Sequence, residues 1–256
     1  MTEMTIKSIK TRLEADVDIT DAFLDRLRQD PRKGVEKLVK SWERKQEKQA
    51  ELMAAFITRS QYEKNLHQKG YQFIAGIDEV GRGPLAGPVV ASAVILPVDC
   101  QLIELNDSKQ LSKAKRESLF DQINEQAISV GVGIVDEKQI DVLNIYQATK
   151  LAMKQAVEQL SPAPDYLLLD AMVLESIKLP QEKLIKGDSK SISIAAASII
   201  AKVTRDRLMV DYDVKYPGYG FAQNAGYGTK AHLDGLKKQG PCEIHRKTFA
   251  PVKEYF

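Results

Sequence analysis

The chain predicts an α/β fold, a mixed β-sheet flanked by helices, with a helical extension in front of it. Two observations carry this reading. From Tyr71 onward, short β-branched runs alternate with segments of helical period, in the order β, β, α, β, α, β, β, α. Residues 1–69, by contrast, hold almost no glycine, many charges and helical spacing around Pro31. The expected boundaries are therefore 1–69 for the extension and 70–256 for the sheet-bearing domain.

In the extension, Val35, Leu38, Val39 and Trp42 fall at i, i+3, i+4 and i+7 and make one apolar stripe that needs something to dock on. Lysines and arginines occupy the other faces, as on any solvated helix. Beyond it, YQFIAGID reads as a strand and PVVASAVILP as a second, bounded by prolines. SKAKRESLFDQINEQA fits a helix capped at Ser112, and VGVGIV a third strand. NIYQATKLAMKQAVEQL is a helix ended by Pro162; YLLLD is a short buried strand and EKLIKG another. Ile192, Ala195, Ala196, Ile199 and Val203 then give a long helix its core face.

At 256 residues and 43% hydrophobic content the chain can bury a full core. Its 37 basic and 35 acidic residues leave a formal charge of +2, so any polyanion site has to be local rather than a property of bulk charge. Cys100 and Cys242 lie far apart in the sequence, which points to reduced thiols rather than to zinc or a disulfide framework. The N-terminus lacks an apolar signal region and no long apolar run follows, so a cytoplasmic protein without a membrane role is expected; a monomer is expected as well.

The unusual feature is acidic residues placed directly after apolar runs, where an unpaired carboxylate is costly. Asp78 and Glu79 close FIAGI. Neighbouring strand residues point to opposite faces, so the two reach one site only if the chain turns there, a freedom that Gly81 and Gly83 supply. Asp170 ends LLLD in the same way, and Asp188 precedes the long helix, whose N-terminus favours an anion. Singly, each is an ordinary loop or capping acid. Together they form an oxygen-only set that selects hard Mg²⁺ or Mn²⁺, two of which can drive phosphodiester hydrolysis.

The stretch GRGPLA also fits the dinucleotide fingerprint G-x-G-x-x-A, with Asp99 near the place of a ribose-binding acid. That reading needs a helix straight after the glycines, where Pro84, Gly87 and Pro88 and a β-branched run stand instead. No phosphate-binding G-x-x-x-x-G-K-[ST] loop occurs either.

GIDEVGRGPLAGPVVASAVIL, NDSKQLS, KGDSKSISIAAASIIAKVTRDRLM and GYGTKAHL with its trailing IHRKTF resemble the ribonuclease HII family, from about Tyr71 to the C-terminus. The resemblance implies the ribonuclease H-like fold, with Asp78, Glu79, Asp170 and Asp188 as the catalytic, metal-binding set for two divalent ions, Mn²⁺ or Mg²⁺. It implies cleavage of the RNA strand of RNA/DNA hybrids. It also implies incision 5′ of single ribonucleotides embedded in duplex DNA, which leaves a 5′-phosphate and a 3′-hydroxyl and serves ribonucleotide excision repair. Gly81, Arg82 and Gly83 would recognise the 2′-hydroxyl through their backbone, and the Tyr227 ring would pack on the next sugar. Lys109, Lys186, Lys190 and Ser191 are candidates for phosphate contacts, and Arg246 of HRK is ambiguous. FAQNAG, before Tyr227, lacks the basic character the family leads one to expect there. Two rival readings are a ribonuclease HIII-like enzyme restricted to RNA tracts and a non-catalytic hybrid-binding module. Asp188, where HIII would carry glutamate, and the GRG triplet with Tyr227 speak against the first; four phosphate-repelling carboxylates speak against the second.

Overall fold

The computed structural model describes residues 4–16 and 18–256 and divides into two compact units, 1–55 and 56–256. In the first, α1 (Ile6–Ala15) and α2 (Asp21–Arg28) are followed by α3 (Lys33–Arg59), whose last residues enter the second unit. The hydroxyls of Thr5 and Thr20 cap α1 and α2. The predicted stripe of α3 finds its partners within this unit: Val35 and Val39, flanked by Leu38 and Trp42, pack with Ile9, Leu13, Phe23, Leu24 and Leu27.

The second unit continues with α4 (Gln61–Gln68), β1 (Ile74–Val80) and β2 (Val89–Ile95). Then come α5 (Lys113–Gln126), β3 (Ser129–Val135), α6 (Glu137–Leu143) and α7 (Ile145–Glu158). The chain ends with β4 (Tyr166–Asp170), β5 (Gln181–Leu184), α8 (Ile192–Lys215), α9 (Phe221–Asn224) and α10 (Lys230–Gln239). Ser112 caps α5 as its sequence predicts. The sheet order is β3-β2-β1-β4-β5, with β1 antiparallel to β2 and parallel to β4. It is the mixed sheet expected from the element order.

Alternation along the strands divides the core. Ala75, Ile77, Ala91, Ala93, Leu167 and Leu169 face α7, while Val94 shares the opposite core with α5 and α8. Glycines let the helices come close. A Cβ on Gly76 would lie 2.1 Å from the Ser193 carbonyl carbon, and one on Gly133 would lie 1.9 Å from the Ala152 oxygen. Among the described residues, no helix is long and apolar enough to cross a membrane.

The division of the chain differs from the boundary at 69 drawn from glycine content. Phe56 packs on the α5–α8 core and Leu66 joins Ile74, Leu168, Leu184 and Ile194. Helical composition marks where strands begin; burial assigns residues 56–69 to the sheet-bearing unit.

Candidate active site

The central strands bring the predicted carboxylates together. β1 and β4 are parallel, with Ile77 opposite Leu169, so Asp78 and Asp170 follow one step beyond the last paired residues, with the same parity. That parity sets them on the α8 side. Asp78 is buried, with the Ser198 hydroxyl of α8 beside its carboxylate and its Oδ1 accepting the Glu79 N–H at 2.7 Å. Asp170 Oδ1 accepts the Gly187 N–H, also at 2.7 Å, which ties β4 to the single 3₁₀ turn Gly187–Ser189 that carries buried Asp188.

One expectation about this geometry is corrected. The chain does not turn between Asp78 and Glu79: β1 pairs with β2 through Val80, and the change of direction comes at Gly81, whose φ is +95°. Glu79 ends in the same electrostatic neighbourhood nonetheless, one residue before the strand's end at Val80. Its Oε1 lies 3.4 Å from Arg82, while its buried Oε2 has no hydrogen-bond partner.

Burial and mutual repulsion act on Asp78, Glu79 and Asp188. Burial, then the charges of Glu79 and Asp170, push the Asp78 carboxyl well above the usual range. Burial raises Glu79 too, with Arg82 opposing and Asp170 reinforcing. Asp188 is raised by burial, then by Asp107 and Asp170. Asp107, which caps the turn Ser108–Gln110, is a neighbour that sequence reasoning missed. Burial works against the Lys109 ammonium, but Asp107, Asp78, Asp188 and Asp170 outweigh it and move its pKa up. Lys109 is therefore the predicted cation that sits at the carboxylates.

Among the described residues, no three acidic, histidine or cysteine side chains close into a ready-made metal cage. The donor chemistry nevertheless fits a hard divalent cation: the ligands are all carboxylates, they repel one another, and Glu79 Oε2 is buried without a partner.

The glycine loop beside this set is braced by two fully buried arginines. Arg246 donates to the carbonyls of Gly81 (2.6 Å), Arg82 (3.0 Å) and Gly87 (2.8 and 3.0 Å). Arg205 donates to those of Ala86, Pro88 and Ala225. This decides the ambiguity over Arg246: it holds the loop from inside and does not face a phosphate. Because a trans peptide sets its C=O and N–H on opposite sides, drawing the Gly81 and Arg82 carbonyls inward turns the N–H groups of Arg82 and Gly83 outward. Coil, not helix, follows the loop as far as β2, which removes the dinucleotide reading.

Tyr227 lies at the same loop, with Cε1 of its ring 3.4 Å from where a Cβ on Gly83 would stand. The Asn224 carbonyl accepts its N–H at 2.9 Å, and FAQNAG forms α9 and the turn that sets this register, with Phe221 buried against Tyr219. Packing rather than phosphate binding explains the lack of bases there. Of the remaining candidates, Lys186 and Lys190 are exposed on either side of the Asp188 turn. Ser191 is not exposed at all: it caps α8 and bonds to Glu63, which leaves its hydroxyl no face toward a phosphate.

Behind Tyr227 lies a buried relay absent from the sequence reading, which joins Cys242 to a pair of histidines. The Tyr227 carbonyl is 2.9 Å from His232 Nδ1, His232 Nε2 is 3.0 Å from His245 Nε2, and His245 Nδ1 is 2.9 Å from the Cys242 N–H. One assignment satisfies these three contacts: His232 Nδ1–H and His245 Nε2–H donate, and His245 Nδ1 accepts, with both rings neutral. Burial, then the neighbouring His232, lower His245 to about 4. A base whose folded pKa is depressed gives stability that is present above its unfolded pKa and lost as pH falls toward the folded one. Between about pH 6.5 and 4, His245 should therefore cost about 3 kcal/mol of stability. Urea unfolding across that range, compared with His245→Gln, checks it; equal slopes in both proteins refute the relay.

A mixed sheet with carboxylates at the ends of its central strands, next to a glycine loop braced from inside by two arginines, fits the ribonuclease H class. The comparisons with known proteins agree. The ribonuclease HII family model matches residues 75–252, and the model of the ribonuclease HII N-terminal domain matches residues 5–67. The chain is 59% identical over 254 residues to the ribonuclease HII of Enterococcus faecalis, covering 99% of both chains. It is 52% identical over 255 residues to that of Bacillus subtilis, covering 100% of both. The crystal structure of the ribonuclease H2 from Pyrococcus horikoshii superposes with a TM-score of 0.60 at 28% identity, covering 71% of this chain and 96% of that one. The chain belongs to the ribonuclease HII family and is an endoribonuclease H.

Proposed function

We propose that the chain cuts the RNA strand of RNA/DNA hybrids and incises 5′ of single ribonucleotides in duplex DNA, leaving 5′-phosphate and 3′-hydroxyl ends. The observation that carries this is the shared placement of Asp78 and Asp170 at the same-face ends of adjacent parallel strands, directly before the braced Gly81–Gly83 loop. Two divalent ions, Mg²⁺ or Mn²⁺, would activate the attacking water and neutralise the leaving oxygen when held by Asp78, Glu79, Asp170 and Asp188.

The chain's own residues supply selection. The outward N–H groups of the loop suit a 2′-hydroxyl, the one group that separates ribose from deoxyribose. Tyr227 offers an apolar face for the following sugar and disfavours a second hydroxyl there. Lys109, Lys186 and Lys190 would hold the backbone without reading bases, so little sequence preference is expected. Acting on DNA in the cytoplasm as a monomer, the enzyme would serve ribonucleotide excision repair.

A labelled duplex with one embedded ribonucleotide, incubated with Mg²⁺, Mn²⁺ or chelator, tests this. Nicking 5′ of the ribonucleotide, with metal only, is expected. Cutting of RNA tracts alone would reduce the reading to the HIII-like one, and metal-independent cutting would remove it.

A further inference from the structure

The four carboxylates lie within the segment matched by the catalytic family model, whereas Glu63 lies within the segment matched by the N-terminal one. Glu63 is nevertheless buried in the sheet-bearing unit, at the N-terminus of α8. Its Oε1 accepts the Ser193 N–H at 3.1 Å and the hydroxyls of both Ser191 and Ser193. Such an acceptor satisfies a free amide of the first helical turn and places negative charge at the positive end of a 24-residue helix.

From there the bonds run directly to the site. Ser191 caps α8 by accepting the Ile194 N–H at 3.2 Å, and its own N–H donates to the Gly187 carbonyl at 2.9 Å. Gly187 in turn donates to Asp170 Oδ1, and the next residue is Asp188. The backbone of Ser193 also lies against Gly76 of β1, two residues before Asp78. Every link in this path up to the half-buried Asp170 carboxylate is buried or is backbone, so it has little freedom to relax when one member is lost.

We propose that Glu63 is a positioning residue for the carboxylate site: by clamping the first turn of α8 it fixes the turn that presents Asp188 and the bond that orients Asp170. This rests on the reading of Asp188 and Asp170 as site residues. It makes α4, which precedes the whole sheet, a working part of the active centre.

Full-length Glu63→Ala and Glu63→Gln test it. In the metal-free Ala variant, hydrogen-exchange protection of Gly187 and of residues 191–194 should fall about tenfold or more, while β2 and β3 keep theirs. Mn²⁺ affinity measured by calorimetry should fall about tenfold, and kcat about tenfold, with KM for the hybrid duplex within about twofold of wild type. Gln keeps an acceptor oxygen and should restore most of each. If Glu63→Ala lowers the melting temperature but leaves Mn²⁺ affinity and kcat per folded molecule unchanged, Glu63 is only a packing bond and the proposal is overturned. Should that variant not fold, Ser193→Ala removes one of the three bonds to Glu63, that of the Ser193 hydroxyl, and keeps the Ser193 N–H and Ser191 hydroxyl bonds; unchanged exchange and Mn²⁺ affinity there overturn it equally. A failure of the site reading looks different: Asp188→Asn would keep Mn²⁺ affinity and turnover, while the exchange effect of Glu63→Ala would persist.

Discussion

Asp78→Asn should lose at least about a thousandfold in metal-dependent cleavage of a hybrid duplex, about 4 kcal/mol of transition-state stabilisation, while its fold survives. Asp78 is the carboxylate with the least freedom to be replaced by a neighbour. It is buried at the end of the central strand, bonded to the Glu79 N–H, and set beside Ser198. Asparagine keeps the shape and the acceptor oxygen but loses the charge a hard cation requires. The same loss removes a buried repulsion with Glu79 and Asp170, so the variant should be more stable than wild type in chelator, by about 1–2 kcal/mol. An inactive variant with a raised melting temperature separates a catalytic loss from unfolding. Wild-type turnover, or inactivity accompanied by a lowered melting temperature in chelator, would sink the assignment of Asp78.

Much of this site was legible in the sequence because its members sit at element ends. Asp78 and Asp170 follow apolar runs, Asp188 precedes a long helix, and Gly81 marks a turn; each signal is local. What was not legible was pairing between distant segments. Asp107 was hidden because its proximity to Asp188 depends on how the Ser108–Gln110 turn folds back. Arg205 drew no reading of its own and Arg246 stayed ambiguous, since nothing local announces that a guanidinium will be buried among carbonyls. Ser191 carried a hydroxyl at a plausible distance along the chain, but the helix claimed it as a cap. Glu63 was lost to a boundary drawn from glycine content, which tracks strand and loop composition and not which core a helix covers.

The second large effect is expected at Tyr227, and for the opposite physical reason. The residue is 46% exposed, while its backbone is held on both sides, by the Asn224 carbonyl and by His232 Nδ1. Truncation to alanine therefore removes a surface without loosening the loop, and should change stability by no more than about 0.5 kcal/mol. What it removes is the apolar wall beside Gly83. An aromatic face on a nucleotide contributes about 1–3 kcal/mol. On a duplex with one ribonucleotide only a single hydroxyl is available to the loop, so Tyr227→Ala should lose kcat/KM about 100-fold there. On an RNA tract, where many registers are offered, the loss should be smaller. Tyr227→Phe keeps the ring and should stay within about threefold of wild type. Nicking of the single-ribonucleotide duplex at the wild-type rate by the alanine variant would take Tyr227 out of substrate selection and leave the backbone loop as its sole basis.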